Sequence, residues 1–182
     1  MPYGVVLLPD RETHDRLAAL AAVIGGPAAV NVLGDHAPAH VSVAHFEADA
    51  RQASVIERHS ARHSVRDLRL RIIGLLYASV APGDYYFPGG GVYFGIEIVR
   101  RPDLDALHRE VLGWVDEVGG APLGQVGADF RPHVTLGIGP DASLPAWPSV
   151  PVGEFPVTLA FAELGPYGTF PDLSFRSGGA PG

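Results

Sequence analysis

The chain contains no cysteine. Disulfide staples, thiolate metal sites and cysteine nucleophiles are excluded together. It also contains no lysine, since all 13 basic residues are arginine. Mechanisms that need a lysine amine, such as a P-loop phosphate clamp, a Schiff base or a lysyl-nucleotide intermediate of ATP-dependent ligation, are excluded with it. No apolar run approaches the roughly 18 residues that a membrane-crossing helix needs, and the longest, Leu17 to Ile24, reads as one face of a helix. Met1-Pro2-Tyr3-Gly4 runs straight into the apolar Val5-Val6-Leu7-Leu8 with no basic segment and no small-residue cleavage site. The expectation is a cytoplasmic protein without a targeting peptide. Broad positive charge is lacking too: a net charge of -7 argues against coating nucleic acid through its phosphates. A small or end-on phosphorylated ligand remains compatible with it.

What is present is enough apolar material, 47% of 182 residues, to build a core. Residues 1–176 read as one bilobal unit and 177–182 as a disordered tail. Tyr3 to Pro9 predicts a largely buried strand. Asp10 is placed to cap a helix on which Leu17, Leu20, Ala21 and Ile24 recur at helical spacing up to Gly25. Ala28 to Leu33 predicts a short strand, and a turn through Gly34 to Pro38 leads to a strand from His40 to Phe46. Glu47 to His63 is a polar helical stretch anchored by Val55 and Ile56, and Leu68 to Val80 is one strand or two joined at Gly74. Tyr85-Tyr86-Phe87 lies between two Pro/Gly turns ahead of a strand from Val92 to Val99, which suggests antiparallel hairpins. Pro102 opens a second long helix with Leu104, Leu107, Val111, Leu112, Val115 and Val118 on its apolar face, ended by Gly119-Gly120. Ala121 to Asp129 reads as a loop and 140–151 as a Pro-rich connector. Val157 to Leu164 reads as a strand, Gly165 to Gly168 as a turn and Leu173 to Arg176 as a last strand.

Two stretches carry chemistry. Phe130-Arg131-Pro132-His133-Val134-Thr135-Leu136 has a weaker twin, Ala39-His40-Val41-Ser42-Val43, 93 positions earlier. In a strand, side chains alternate faces, so His133 and Thr135 point one way while Val134 and Leu136 enter a core, and His40 and Ser42 behave likewise. Taken bare, the pattern decides nothing: eight histidines in a chain this poor in hydroxyls give about 0.6 His-x-Ser/Thr hits by chance. The weight comes from context, an apolar strand after a Pro-containing turn in both copies and a repeated strand-helix-strand order in both halves. The pairing predicts an α+β fold of two antiparallel sheets around a cleft, helices outside, with the two histidines near a pseudo-twofold axis.

With Phe130 to Leu136 and His40 to Val43 quoted, the chain resembles the two-histidine (2H) phosphoesterases, including the bacterial 2'-5' RNA ligase and RNA 2',3'-cyclic phosphodiesterase group. Their signature is one His-x-Ser/Thr motif per lobe, the second within a Phe-x-Pro-His-hydrophobic-Thr-Leu string. The resemblance spans the first strand to the Gly165-Pro166-Tyr167 turn. It implies hydrolysis of a 2',3'-cyclic phosphate or 2'-5' phosphodiester on a nucleotide or RNA end by a monomer that uses no cofactor and no membrane. Reversal as ATP-independent ligation belongs to the same chemistry. His40 and His133 would be the acid/base pair, Ser42 and Thr135 the phosphate holders, and Tyr167 an aromatic near the cleft. Two features depart from the pattern: His45 stands where something small or apolar is expected, and no lysine is near the motifs.

The residues fit this chemistry without the resemblance. Two imidazoles titrating near neutrality can supply the base and the acid that opening a phosphodiester needs, with no metal required. Spacing assigns neither histidine to one role. The bland readings are strand histidines and hydroxyls that merely cap edges, a solvated Arg131 in place of a phosphate contact, and a packing role for Tyr167. Tyr85, Tyr86 and Phe87 could stack a base or simply form a hairpin cluster. His59 and His63, four apart on a helix, could hold zinc, but no third ligand is placed with them. Strand alternation sends His40 and His45 to opposite faces, and His14 and His108 read as helix-surface residues. The competing function is a non-catalytic module that binds a phosphorylated nucleotide or RNA end.

Overall fold

The apolar run after Pro2 makes β1 (Pro2–Pro9) a strand covered on both faces, with Val5, Val6 and Leu7 fully buried. The computed structural model describes residues 1–25, 29, 31–34, 37–140 and 149–173, without the side chains of 31 and 32. Asp10 accepts the Thr13 N–H at 2.8 Å and starts α1 (Arg11–Gly25), as its N-cap position predicts. β2 (Asn31–Val32) and β3 (Val41–Glu47) follow. A reciprocal capping box between Asp49 and Gln52 opens α2 (Ala50–Arg62), in which Ile56 is buried and Val55 half-buried. β4 (Arg69–Val80) is a single strand whose register slips between Ile72 and Gly74. It is followed by β5 (Gly91–Ile98) and by α3 (Pro102–Glu117), with Pro102 in the first turn and Gly119 left-handed after the end. β6 (Ala121–Leu123), a short turn at Gly127–Asp129, β7 (His133–Gly139) and β8 (Glu154–Glu163) complete the order.

The strands pair antiparallel in the order β2-β7-β5-β4-β8-β1-β3-β6. β4 and β8 meet only where Arg69, Leu70 and Arg71 face Pro156, Phe155 and Glu154, so the sheet opens into two wings at that seam. One wing runs β6-β3-β1-β8 and the other β2-β7-β5-β4. Each strand of one wing has its counterpart four strands away in the chain, which is the expected pseudo-twofold α+β plan. The edge strands are exchanged. β2 joins the wing of β7, and β6 joins the wing of β3. Helices follow their edge strands: α1 packs on β7 and β2, α3 on β3 and β6, while α2 lies against β8. Each half therefore covers the other half's histidine strand.

Three local expectations change. The loop expected from Ala121 contains β6, three residues long, whose pairing comes from the free edge of β3 rather than from any periodicity of its own. His14 and His108 are core residues, each 2% exposed, not surface ones. His14 lies three before Leu17, and His108 four after Leu104, so both occupy the apolar stripe of their helices. The strand expected from Ala28 shows as Asn31–Val32, with 28 and 30 outside the described residues. The strand expected from Leu173 and the tail lie outside them from 174 onward. No helix of the described residues is long and apolar enough to cross a membrane.

Candidate active site

Both histidine strands carry the same backbone irregularity at the same place. On β3, Ser42 pairs with Val6 and Ala44 with Val5, leaving Val43 as an extra residue. On β7, Thr135 pairs with Gly95 and Gly137 with Phe94, leaving Leu136 extra. A β-bulge immediately after each hydroxyl shifts the alternation by one residue. His40, Ser42 and, beyond the bulge, His45 then share the cleft face; His133, Thr135 and Ile138 do so in the other wing. All six line one cavity of about 460 Å³. The expectation that His40 and His45 diverge is thus corrected: Ser42 lies opposite Val6 and His45 opposite Gly4, two apart on β1 but three apart on β3.

The rings are oriented identically. His40 Nδ1 lies 2.8 Å from the Pro38 carbonyl and His133 Nδ1 lies 2.7 Å from the Arg131 carbonyl, two residues back in each case. A carbonyl only accepts, so each Nδ1 carries the proton and each neutral ring keeps its lone pair on Nε2. Behind them, buried His108 ties the two motifs together. Its Nδ1–H donates to the carbonyl of the bulged Val43 at 2.6 Å, and its Nε2 accepts the Gly127 N–H at 2.9 Å. Its ring stacks on Phe130 at 4.0 Å, and the Arg100 guanidinium lies 5.7 Å from the centroid of the same Phe130 ring. Arg100 also donates to the carbonyls of Gly127, Ala128 and Phe130 at 2.8 Å each. The approach to His133 is therefore fixed by Phe130, the first residue of its string. From α1, His14 Nδ1 accepts the Ala39 N–H, just before His40, at 3.1 Å.

The two wings differ in what covers the rings. His40 is 7% exposed, beneath the edge of Phe170 at 4.9 Å. Phe170 occupies the space over Gly4, where a Cβ would meet its ring at 2.4 Å. The equivalent position in the other wing is Tyr93, whose ring stacks on half-buried His133 at 5.4 Å. Burial pushes His40 down to about 4, opposed by the backbone of Pro38 and of Gly168 and assisted by the nearby His133 charge. His133 is lowered by burial as well, again opposed by its carbonyl partner. His45 falls to about 3, through burial and then the charges of His40 and His133.

Arg131 lines the cavity rim, with its Nε donating to Glu97 at 3.0 Å across the strand pair. Tyr167 lines the cavity too, in a left-handed conformation (φ 58°) that costs a non-glycine residue on the order of 1–3 kcal/mol. Tyr86 and Phe87 face the cavity while Tyr85 points outward, 55% exposed. His59 stacks on Trp114 and His63 sits 3.2 Å from Glu110, away from the cleft. Among the described residues no group of three or more His, Asp or Glu side chains is placed to hold a metal. Phe170 and Tyr93 escaped the sequence reading, which named His45 but sent it to the opposite face. Only the apolar pattern around Tyr93 could have placed it on a strand beside His133.

No protein-family model matches the chain, and no curated protein matches it in sequence. Solved structures do match: one described as a phosphoesterase superposes with a TM-score of 0.50 at 16% identity, over 88% of this chain and 84% of its own. At that identity the likeness is one of architecture, and this chain has the fold of a protein described as a phosphoesterase.

Proposed function

We propose that this protein is a metal-independent phosphoesterase that opens a 2',3'-cyclic phosphate, or cleaves a 2'-5' phosphodiester, at the end of a nucleotide or RNA. One observation carries the reading: two His-x-Ser/Thr strands, bulged alike, aim two Nδ1-anchored imidazoles into one cavity. The neutral ring takes a proton from water through Nε2 as the water oxygen attacks phosphorus. The charged ring gives its Nε2 proton to the departing ribose oxygen, leaving a phosphomonoester and the pair with its proton exchanged. Each ring contributes on the order of 10² to 10⁴-fold. The hydroxyls of Ser42 and Thr135 donate to the non-bridging oxygens as charge builds there, and Arg131 and Tyr167 bind the rest of the substrate at the rim.

The competing reading, a cleft that binds phosphate without turning it over, is favoured by burial, which holds both rings neutral in the free protein. A phosphodiester anion between them reverses that balance, because an opposite charge within a few ångströms favours protonation. Binding at pH 7 is then expected to take up a proton. The deciding experiment is turnover of a 2',3'-cyclic nucleotide in the presence of a chelator. Turnover that persists, and falls at least about a hundredfold in His40→Ala and in His133→Ala, supports the enzyme. Tight binding with no turnover of any cyclic or 2'-5' substrate supports the binder.

A further inference from the structure

His45 is a third imidazole in the cleft, placed there by the bulge after Ser42. Its Nδ1 lies 2.7 Å from the hydroxyl of Tyr86. Its Nε2 is buried and has no hydrogen-bond partner among the described residues. A buried ring nitrogen without a partner is an uncommon and costly arrangement, retained where a ligand supplies what is missing. The equivalent position in the other wing is Ile138, which can neither donate nor accept.

Counting donors fixes the direction of the contact. Were Nδ1 to carry the proton and donate to the Tyr86 oxygen, both the phenol proton and the Nε2 lone pair would be left over. With the phenol donating to Nδ1, one bond satisfies both groups and leaves a single unpartnered N–H, at Nε2, on a ring that lines the cavity and packs against Phe170. Tyr86 has that proton to give, since burial raises its hydroxyl to about 12. Asp84 Oδ1 accepts the backbone N–H groups of Tyr86 and Phe87 at 2.8 and 2.9 Å, so the phenol is delivered by a fixed turn. His45 is close enough to both His40 and His133 for their charges to act on it. All three imidazoles line the same cavity.

We propose that His45 is a third phosphate-binding residue: Tyr86 O–H donates to its Nδ1, and its Nε2–H donates to an oxygen of the bound phosphate. This rests on reading the cleft as a phosphate site. The duplicated motifs supply one imidazole and one hydroxyl per wing, and His45 adds a donor on one side only. The phosphate is held against β3, and its orientation between two half-sites built on the same motif is set.

The test uses inorganic phosphate as the probe, with calorimetric affinities and ¹⁵N histidine spectra of the full chain. His45→Phe, close in shape but without a donor, is expected to weaken phosphate binding at least about tenfold. His45→Gln, which returns an amide donor near the Nε2 position, is expected to recover most of that loss. The His45 Nε2 resonance of the wild type is expected to move on saturation and to stay in the protonated-nitrogen range. If His45→Phe binds phosphate within twofold of wild type while Thr135→Val weakens it, the role of His45 is wrong and the phosphate site stands. If the wild type binds neither phosphate nor a cyclic nucleotide, both fall. Should His45→Phe fail to fold, an unmoved Nε2 resonance in phosphate-saturated wild type overturns the proposal by itself.

Discussion

The two half-sites share a backbone and differ in their surroundings. In each, a bulge follows the hydroxyl and a carbonyl two residues back holds the histidine Nδ1. Around that common frame, His40 lies under Phe170 with His45 beside it, whereas His133 stacks on Tyr93 near the Arg131–Glu97 pair at the rim. The frame sets where a proton can be given or taken, and the covering sets how readily. Duplication alone would give two equal imidazoles; unequal burial makes the two members of the pair inequivalent.

The largest expected effects remove the frame. His40→Ala and His133→Ala are each expected to cost at least about a hundredfold in kcat/KM toward a 2',3'-cyclic nucleotide. A single variant that keeps wild-type turnover would mean that one wing acts without the other. Thr135→Val and Ser42→Ala are expected to cost about tenfold or more each, since a hydrogen bond to a charged group is worth about 1.5–3 kcal/mol. Steady-state kinetics checks both sets.

Next come changes that act on one wing only. Phe170 is fully buried, so Phe170→Ala is expected to destabilise the protein by about 3–5 kcal/mol and to raise the His40 pKa toward its ordinary value by admitting water. Denaturant midpoints and NMR titration read the two effects, and His133 is expected to titrate unchanged. A His40 that also stays put would break the comparison. Gly4→Ala is expected to act in the same direction by driving Phe170 off its seat.

The same burial makes stability depend on pH. His40 and His45 sit at about 4 and about 3 in the native protein, below the ordinary value of 6.5 that they regain on unfolding. Between those values the unfolded chain binds more protons, so stability is complete above about pH 6.5 and declines as pH falls toward about 3. Urea midpoints at a series of pH values between 7 and 4 check the sign, and a rise on acidification would contradict it. The smallest effect is expected at the rim. Arg131→Ala breaks a half-exposed ion pair worth about 0–1 kcal/mol in stability and is expected to raise KM severalfold with kcat nearly unchanged.

The wings were legible in the sequence to the extent that period governs them. Val41 and Val43, Val134 and Leu136 mark the core faces of β3 and β7, and the polar residues between them point to the cleft. His45 was not legible, because one inserted residue reverses the face and nothing in the pattern Ser42-Val43-Ala44 announces a bulge. His14 and His108 were legible in principle, since both continue the helical spacing of their apolar neighbours. Their polar side chains argued the other way, and only their backbone partners explain why they are buried. Phe170 reaches His40 from a distant part of the chain, through a packing contact that no local pattern encodes.

The central claim is that His40 and His133 act as one unit on one phosphate. A double-mutant cycle in kcat/KM on a 2',3'-cyclic nucleotide tests it most directly. The expected result is that His40→Ala/His133→Ala falls little further than either single variant. Losses that multiply would contradict it, as would a single variant that retains wild-type turnover.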